Sequence, residues 1–216
     1  MAKLRVHNFS ITLDGFAAGP NQRMDAPFGD RVDGLHDWLV ATKSFNDSHE
    51  GEGGEEGIDD QFAAAAFTGM GATIMGRNMF GPQRGPWEDH SWQGWWGPNP
   101  PYHHDTFVMT HHLRPSLPME GGTTFHFVND SPKAVLEQAF KAANGKDVWL
   151  VGGAATIRQF LRDGLVDELH VVITPILAGS GERLFDNVGT LEGYQVTKLV
   201  SSEAATHALI TRSTTP

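Results

Sequence analysis

Residues 148–161, VWLVGGAATIRQFL, decide the fold, because they combine a short apolar run, a double glycine and an amphipathic segment. The run 148–151 has the composition of an inner strand that is covered on both faces. The glycines at 152–153 remove two Cβ atoms where the chain turns, so that a ligand can lie against bare main chain. The segment 154–162 carries apolar residues at three- and four-residue spacing, which predicts a helix. These residues are Ile157, Phe160 and Leu161.

A strand, a glycine turn and a helix in this order also have the features of a phosphate-binding turn. The first N–H groups of the helix lack intrahelical partners, and the positive end of the helix dipole favours an anion at the glycines. Thr156 adds a hydroxyl group. The stretch is neither GxGxxG nor a P-loop, however, and a double glycine also occurs as a plain tight connection. The motif alone leaves both interpretations open.

The composition of the chain excludes several classes of function. With 216 residues, 39% hydrophobic and 19% charged, the sequence predicts one globular domain over 1–216. The absence of cysteine excludes disulfides and a thiolate nucleophile. The formal net charge of −10 argues against a nucleic-acid partner. No apolar run could span a bilayer and no signal peptide follows Met1, so we expect a cytoplasmic protein without a membrane partner.

The first third of the chain contains two irregular segments. A strand over 4–13, with Leu13 in the core, ends at the turn signal Asp14-Gly15, and the long loop that follows is expected to cover a ligand. The apolar spacing over 32–45 predicts a helix. The acidic insert at about 46–57 lacks apolar anchors and is predicted to be mobile. An alternative is a metal site, although solvated acidic loops are commoner; its ligands would be Glu50, Glu52, Glu55 and Glu56.

A second strand–glycine–helix pattern follows in the middle of the chain. A helix over 58–70 leads into a short buried strand over 71–75, and then into Gly76, Arg77 and Asn78. The planar guanidinium of Arg77 matches the geometry of a phosphate group. A surface arginine in an ion pair is the alternative.

A tryptophan-rich loop occupies about 81–104 and holds four of the six tryptophans, Trp87, Trp92, Trp95 and Trp96. Indoles in this number can stack on a flat heterocycle or cover a subunit contact. A loop that is packed onto its own domain through these rings explains the pattern equally well.

The remaining elements complete an α/β fold. Strands are predicted over 105–110, 123–128, 168–177, 194–201 and 204–211, and Ser131 caps a helix over 132–144. Alternating strands and helices predict a central, mixed and mostly parallel sheet with flanking helices, closed by a C-terminal antiparallel hairpin. In such sheets ligands bind at the carboxyl ends of the strands. Four candidate segments fall at strand ends: Asp14-Gly15, Gly76-Arg77, Thr110-His111 and Gly152-Gly153.

Together these segments resemble the dihydrofolate-reductase-like superfamily. The resemblance rests on SITLDGFAAG, IMGRNMF, VMT, VGGAATIRQFL and DELHVVITPILAGSGERLF, which cover nearly the whole chain. The branch that the chain resembles most contains the C-terminal reductase domain of the riboflavin-biosynthesis deaminase-reductase. This resemblance implies a three-layer fold that binds NADPH across the strand ends and transfers hydride to a flat nitrogen heterocycle.

The resemblance also implies roles for individual residues. The diphosphate would lie at the segment Val151, Gly152, Gly153, Ala154, Ala155 and Thr156. Gly76, Arg77 and Asn78 match the segment in which the arginine meets the adenosine 2′-phosphate, and Thr110 and His111 match the segment beside the adenine ribose. The wall and lid around the nicotinamide would comprise Ser10, Ile11, Ala17, Ala18 and Gly19. The resemblance further suggests a homodimer, and exposed tryptophans would form part of its subunit contact.

The substrate side departs from the family pattern. Asp37 is the nearest counterpart of the carboxylate that orients the pterin in folate reductases, which makes it the candidate catalytic residue; an acid at the edge of a core helix is the alternative. Asp14 and Trp38 are the candidate substrate contacts. A phosphoribosyl substrate would require a cluster of basic residues in the substrate half of the site. The sequence shows no such cluster there.

Two other classes of function remain as alternatives. The chain could be a non-catalytic NADP(H)-binding or assembly module on the same fold. A metal site could use His90 and the pairs His103-His104 and His111-His112, but adjacent residues in a strand point to opposite faces, so we expect no metal.

Overall fold

The computed structural model describes residues 1–49, 51–81 and 83–213, and its centre is a nine-stranded sheet. The strands are β1 (Leu4–Thr12), β2 (Phe16–Ala18), β3 (Met70–Gly76), β4 (Asp105–Met109), β5 (Leu117–Pro118), β6 (Thr124–Val128), β7 (Asp147–Gly152), β8 (Glu168–Thr174), β9 (Glu182–Arg183), β10 (Tyr194–Ser201) and β11 (Thr206–Arg212). The α-helices are α1 (Asp37–Val40), α2 (Lys43–Ser48), α3 (Ile58–Phe67), α4 (Arg77–Phe80), α5 (Pro132–Ala143) and α6 (Ala154–Arg162).

The sheet is mixed and mostly parallel, which confirms the predicted fold class. Its strand order is β10-β11-β8-β1-β7-β3-β4-β6-β5, and the six strands from β8 to β6 in this order are parallel. The C-terminal hairpin of β10 and β11 adds antiparallel strands beside β8, and β5 pairs antiparallel with β6. Strands β2 and β9 form a separate pair. Within the described ranges, no helix has both the length and the apolar character that a membrane span needs.

Side chains alternate between the two faces of the sheet and build a core on each. Leu150 belongs to the cluster that contains residues of α5 and α6, whereas the next residue, Val151, belongs to a cluster with Phe80 and Phe125 on the other face. The second face is covered by α3, which contacts β1, and by the tryptophan-rich loop. The result is three layers, with each face of the sheet removed from water.

The helices α5 and α6 form as their sequence patterns predict. Ser131 caps α5 by accepting a hydrogen bond from the Ala134 N–H at 3.4 Å, and Asn144 ends the helix in the left-handed conformation at φ 50°. The apolar side of α6 is fully buried against the sheet through Ile157, Phe160 and Leu161.

The prediction of one helix over 32–45 is wrong. Gly34 adopts φ 85°, so α1 begins only at Asp37. Thr42 then interrupts the helix, because its side chain accepts a hydrogen bond from the Phe45 N–H at 3.2 Å and caps α2. The prediction that Leu13 lies in the core is also wrong. Leu13 is 66% exposed, because β1 ends one residue earlier.

The acidic insert has more structure than its sequence suggests. Residues 46–48 belong to α2. The Glu55 N–H donates to the Ala41 carbonyl at 2.7 Å, and the Glu55 carbonyl accepts from the Lys43 N–H at 3.0 Å. Main-chain hydrogen bonds thus hold part of a segment that has no apolar anchor. Glu50 lies outside the described residues.

The topology brings the predicted strand ends together. Strands β1, β7, β3 and β4 are neighbours in this order and run parallel, so their carboxyl ends lie side by side. The candidate segments that follow these four strands therefore share one edge of the sheet.

Candidate functional site

Two neighbouring cavities lie along the carboxyl ends of these strands. The larger cavity has a volume of about 610 Å³ and the smaller one of about 290 Å³. Arg77, Asn78 and Thr156 line both cavities and so mark the place where they meet. Together the cavities form an elongated site that crosses β1, β7, β3 and β4, and such strand ends are where α/β sheets bind ligands.

The glycines at this edge of the sheet have different structural roles. A Cβ atom at Gly153 would meet no other atom within 4 Å, so this residue leaves open space beside α6. A Cβ atom at Gly76 would lie 2.1 Å from the Thr156 Oγ1, so Gly76 allows α6 to approach β3. Gly153 also precedes α6 without any side-chain cap, which leaves the first N–H groups of that helix available to a ligand. An anion can therefore reach bare main chain at Gly153.

Arg77 provides a cation at the junction of the two cavities. Its guanidinium carbon lies 3.6 Å from the centroid of the Trp87 ring, and its Nη1 donates to the Thr110 Oγ1 at 3.5 Å. Its Nε and Nη2 are buried and have no hydrogen-bond partner among the described residues. Burial, followed by the charges of Arg84 and Arg114, lowers the pKa of Arg77, yet a guanidinium remains protonated at neutral pH. No carboxylate in the described part of the chain forms a salt bridge with it, so the ion-pair alternative is not supported.

The tryptophan-rich loop is packed onto the domain and supports Arg77. Arg114 lies 5.0 Å from the Trp87 ring and donates to the carbonyls of Trp92 and His90, each at 2.9 Å. The Trp87 Nε1 donates to the His112 carbonyl at 2.7 Å, which fixes the indole beneath Arg77. Two other indoles of the loop line the larger cavity, those of Trp95 and Trp96. The packed-loop interpretation is therefore correct, and part of the same loop contributes to the site.

The smaller cavity is polar. Thr110 Oγ1 accepts from the His112 N–H at 3.1 Å, and the His111 Nδ1 is 3.1 Å from the Asn129 Oδ1. Asp130 and Gln159 complete this part of the wall. The cavity thus offers hydroxyl, imidazole and amide groups to a ligand that Arg77 holds from the other side.

The larger cavity is mostly apolar. The aromatic side chains that line it are Phe9, Phe28, Phe45, Phe67, Trp95, Trp96, Tyr102 and Trp149. The polar residues in its wall include His7, Asn8 and Ser10 of β1. Burial raises the pKa of Tyr102 and lowers the pKa of His36 to about 4, so both are neutral at physiological pH. An apolar pocket with few polar groups is the usual form of a small-molecule site.

His7 and Glu168 form a hydrogen-bonded pair in the wall of the larger cavity. The Nε2 of His7 lies 2.6 Å from the Glu168 Oε1. This bond, opposed by burial and assisted by Arg5, lowers the pKa of Glu168 to about 2, so the carboxylate is ionised at neutral pH. Burial lowers the pKa of His7, despite the raising effect of Glu168, and the ring is neutral. Its Nδ1 is buried without a partner among the described residues.

A family model described as the RibD C-terminal domain matches residues 5–211. This chain belongs to that family. Two curated relatives are uncharacterized proteins from Bacillus subtilis (strain 168). YwjB is 24% identical over 190 residues, which cover 86% of this chain and 84% of YwjB. YyaP is 44% identical over 64 residues, which cover only 29% of this chain and 32% of YyaP.

Solved structures with the same fold include other RibD-like proteins. A putative riboflavin biosynthesis protein from Shewanella sp. PV-4 is 21% identical, with a TM-score of 0.60 and coverage of 98% of this chain and 99% of that one. A diaminohydroxyphosphoribosylaminopyrimidine deaminase/5-amino-6-(5-phosphoribosylamino)uracil reductase from Thermotoga maritima is 12% identical, with a TM-score of 0.56. The match covers 98% of this chain and 56% of the Thermotoga protein. The predicted fold and family are thereby confirmed.

Most of the predicted cofactor residues line the two cavities of this RibD C-terminal domain. Those in the walls are Ser10, Ala17, Ala18, Gly76, Arg77, Asn78, Thr110, His111, Val151, Gly153, Ala154, Ala155 and Thr156. Ile11 is buried in the core instead. Gly152 packs against the Phe9 ring, because a Cβ atom at this position would lie 3.1 Å from it. A Cβ atom at Gly19 would lie 1.7 Å from the Asp30 carbonyl oxygen, so Gly19 serves the packing of its own loop.

The predicted substrate and catalytic residues lie elsewhere. Asp37 is exposed and outside both cavities, because α1 and the residue before it present His36, Leu39 and Val40 to the larger cavity. The Asp14 carboxylate accepts from the N–H groups of Ala178 and Gly179, at 3.1 and 2.7 Å, and closes a loop. The structure thus places Asp37 and Asp14 outside the walls of both cavities.

Trp38 acts behind the cavity wall. It is 2% exposed, and its Nε1 donates to the Ser10 Oγ at 2.9 Å. The indole therefore orients a residue of the wall and lies behind the cavity rather than in its lining.

Sequence reasoning missed many residues of the larger cavity, among them His7, Asn8 and Trp149. The polar pair His7-Asn8 within an apolar strand was the available signal. It coincides with a break in register between β1 and β8, and Asn8 adopts φ 55°. Such an irregularity turns strand side chains away from their expected direction.

The histidine pairs have local partners. His103 Nδ1 lies 2.9 Å from the Gly121 carbonyl, and His104 Nε2 lies 2.7 Å from the Thr73 Oγ1. Among the residues that the structure describes, no three His, Asp or Glu side chains come together in a group that could hold a metal ion. Of the acidic insert, Glu52, Glu55 and Glu56 are exposed, and Glu50 is not described.

Proposed function

We propose that this chain is an NADPH-dependent reductase that transfers hydride to a flat nitrogen heterocycle. The observation that carries the proposal is the pair of neighbouring cavities along one edge of the sheet, with Arg77 in the wall of both and open space at Gly153. A phosphorylated dinucleotide is elongated and carries anions at its centre and at its adenosine end, so its chemistry fits such a site.

The residues present fit this cofactor. Gly153 and the N–H groups of Ala154 and Ala155 would hold the diphosphate, because no side chain fills the space in front of them. Arg77 would bind the adenosine 2′-phosphate through its guanidinium group, since this residue lines both cavities. Thr110 and His111 would line the adenosine side, and Ser10, Ala17 and Ala18 the nicotinamide side.

The larger cavity would then hold the heterocycle. When bound, NADPH supplies a hydride to a carbon of a C=N bond, and a proton added to the nitrogen completes the reduction. The protein's own contribution is to orient the acceptor between aromatic walls and to exclude water from them. That the Thermotoga maritima protein is described in part as a 5-amino-6-(5-phosphoribosylamino)uracil reductase supports a pyrimidine-like acceptor.

Cofactor binding and turnover test the proposal separately. We expect NADPH to raise the melting temperature of the protein more than NADH does at equal concentration. We also expect oxidation of NADPH, measured by the loss of its near-ultraviolet absorbance, with at least one member of a panel of pterins and pyrimidines. The absence of any stabilisation by either cofactor would overturn the proposal. Stabilisation without turnover on the whole panel would instead favour a non-catalytic NADP(H)-binding module.

A further inference from the structure

We infer that Asp59, His207 and His170 are positioning residues for the wall of the larger cavity. Their side chains form a chain of hydrogen bonds that runs through the core from α3 to the main chain of Asn8. This chain holds an irregular turn of β1 in place. Its expected effect on NADPH binding rests on the proposed function, whereas the chain itself does not.

The irregular turn is a β-bulge in the wall of the larger cavity. It lies between Val6 and Phe9, where two residues of β1 face only His170 of β8. These two residues are His7 and Asn8, and both line the cavity. Asn8 adopts φ 55°, a left-handed conformation that residues other than glycine rarely take without support. The direction of both side chains therefore depends on what holds the bulge.

The hydrogen bonds of the chain run in one direction. The Asn8 N–H donates to His170 Nδ1 at 3.2 Å. His170 Nε2 lies 3.1 Å from His207 Nδ1, and His207 Nε2 lies 2.6 Å from the Asp59 Oδ1. Burial, as the largest cause, lowers the pKa of both rings, so each is neutral and carries one N–H.

The main chain of Asn8 fixes the tautomer of both imidazoles. A main-chain N–H can only donate, so Nδ1 of His170 is an acceptor and the proton of this ring is on Nε2. His170 then donates to His207, which accepts at Nδ1 and donates from Nε2 to the Asp59 carboxylate. Every ring nitrogen of the chain is thereby bonded.

The surroundings of the two imidazoles favour a positioning role. Both rings are fully buried, and Phe62 of α3 stacks on each of them with centroids 4.4 Å apart. Burial of polar rings costs free energy that apolar side chains of the same size would not lose. A buried polar network whose members are all bonded specifies one geometry instead. The geometry that this network specifies is that of the bulge.

The chain does not supply a proton to the cavity. Its inner end is the peptide N–H of Asn8, which does not release its proton at physiological pH. A second proton on His170 would turn Nδ1 into a donor that faces another donor, so a charged ring would break the chain. These residues therefore act through the position of Asn8 and not as acids or bases.

Phe9 connects the bulge with the double glycine. A Cβ atom at Gly152 would lie 3.1 Å from the Phe9 ring, so this ring packs on the turn between β7 and α6. Phe9 and Gly153 both line the larger cavity. A shift of the bulge would move this aromatic ring relative to the main chain that is proposed to hold the diphosphate.

Nitrogen-15 NMR of the histidine-labelled wild-type protein at neutral pH tests the chain without any ligand. The shift of each imidazole nitrogen reports whether it carries a proton. We expect a protonated Nε2 and an unprotonated Nδ1 in both rings, with the signals assigned by their loss in His170→Asn and His207→Gln. The opposite tautomer in either ring, or a charged ring, would overturn the inference.

Two substitutions of His170 separate positioning from the filling of space. His170→Asn places an amide oxygen at the former position of Nδ1, where it can accept from the Asn8 N–H, whereas His170→Leu offers no acceptor. We expect NADPH to bind about fivefold more weakly to His170→Leu than to His170→Asn, and the Asn8 N–H to exchange faster with deuterium in His170→Leu. A residue that only fills the core would give the opposite order, because leucine suits a buried apolar site better than asparagine.

Asp60→Ala is the control for the charge of the helix. Asp60 lies in the same first turn of α3, but its carboxylate accepts from the Ser44 N–H at 2.7 Å, so both tautomers and the NADPH affinity should stay those of the wild type. Equal NADPH affinity or equal Asn8 exchange in the two His170 variants would overturn the inference. A wild type that does not bind NADPH would overturn the proposed function, and the tautomers and the Asn8 exchange would then decide this inference alone. If His170→Leu does not fold, the wild-type tautomers decide it.

Discussion

At the scale of single residues, Arg77 and Gly153 show how a site can be distinguished from a structural feature. Arg77 is half-buried, lies on the Trp87 ring and has two guanidinium nitrogens without partners among the described residues. Gly153 has open space where a side chain would be. Both residues line the larger cavity, so each is a candidate for contact with a ligand.

Arg77→Ala should separate the two cofactors. We expect NADPH to bind roughly 10- to 100-fold more weakly to this variant, since one or two charge-assisted hydrogen bonds to the 2′-phosphate are lost. NADH lacks this phosphate, so its affinity should change by less than about threefold. Fluorescence titration with both cofactors measures the difference. An equal loss for NADPH and NADH would remove the role of Arg77 in selectivity.

Gly153→Ala should weaken the binding of both cofactors without destabilising the protein. The added methyl group meets no protein atom within 4 Å, but it enters the space in front of the first turn of α6. Gly76→Ala provides the contrast, because its Cβ would lie 2.1 Å from the Thr156 Oγ1 and should lower the melting temperature. If Gly153→Ala bound both cofactors like the wild type, the diphosphate would lie elsewhere.

At the scale of elements, one arginine side chain holds the tryptophan-rich loop in place. Arg114 is 9% exposed and joins the loop to the sheet through the carbonyls of His90 and Trp92. The same side chain supports the Trp87 ring on which Arg77 lies. Loop order and cofactor selectivity should therefore change together.

Arg114→Met should loosen this loop while the sheet stays folded. We expect faster amide deuterium exchange over residues 83–96 and a free-energy loss of about 1–3 kcal/mol from the broken hydrogen bonds. Arg183→Met is a matched control, because Arg183 lies 4.3 Å from the Phe16 ring at a different place in the fold. Unchanged exchange over 83–96 in Arg114→Met would show that the loop is held by its indoles alone.

The neutral histidines on and beside the sheet should make the protein acid-labile. Burial, as the largest cause, lowers the pKa of His7, His36, His104, His170 and His207, to about 4 for His36 and His104 and to about 2 for His170. The unfolded chain binds protons on these rings below its ordinary pKa near 6.5, whereas the folded chain does not. The free energy of unfolding therefore has its full value above about pH 6.5, and it decreases as the pH falls towards 4.

Thermal unfolding between about pH 7.5 and pH 5 checks this prediction. The free energy of unfolding should fall by about 1.4 kcal/mol per pH unit for each such histidine. His104→Gln preserves a hydrogen-bonding group next to Thr73 and removes one titrating ring, so the slope should become smaller. A melting temperature that stays constant over this range would contradict the role of buried neutral imidazoles.

At the scale of the whole molecule, the assembly state follows from what the fold leaves uncovered. The indoles of the tryptophan-rich loop pack inwards, so they are poor candidates for a subunit contact. Strand β10 is an edge of the sheet, and its Val196 and Leu199 are 59% and 66% exposed. Exposed apolar edges readily pair with another chain.

We propose a homodimer whose contact includes β10. Light scattering should give twice the chain mass of 23.6 kDa, and Leu199→Lys should shift the protein towards the monomer. Leu177→Lys is the control, because Leu177 is 68% exposed but lies outside β10. A wild-type monomer, or a dimer that both variants leave intact, would place the contact elsewhere or remove it.

The sequence by itself determined the α/β class, the mostly parallel sheet and the group of strand ends that carry Arg77 and the double glycine. These features depend on short-range patterns: apolar runs, helical spacing, glycines and caps within a few residues. The packing of α6 and the cap at Ser131 occur in the structure as those patterns predict.

Only the tertiary structure decided which polar groups face the larger cavity. His7 depends on Glu168, which is 161 residues away, and Trp38 bonds to Ser10, 28 residues earlier. Asp37 is exposed because Thr42 and Gly34 limit α1 to one short turn. Contacts of this kind are set by which elements meet in space, and no local periodicity encodes them. For that reason the strand-end residues that line the two cavities could be predicted from the sequence, whereas the polar residues of β1 in the larger cavity required the fold.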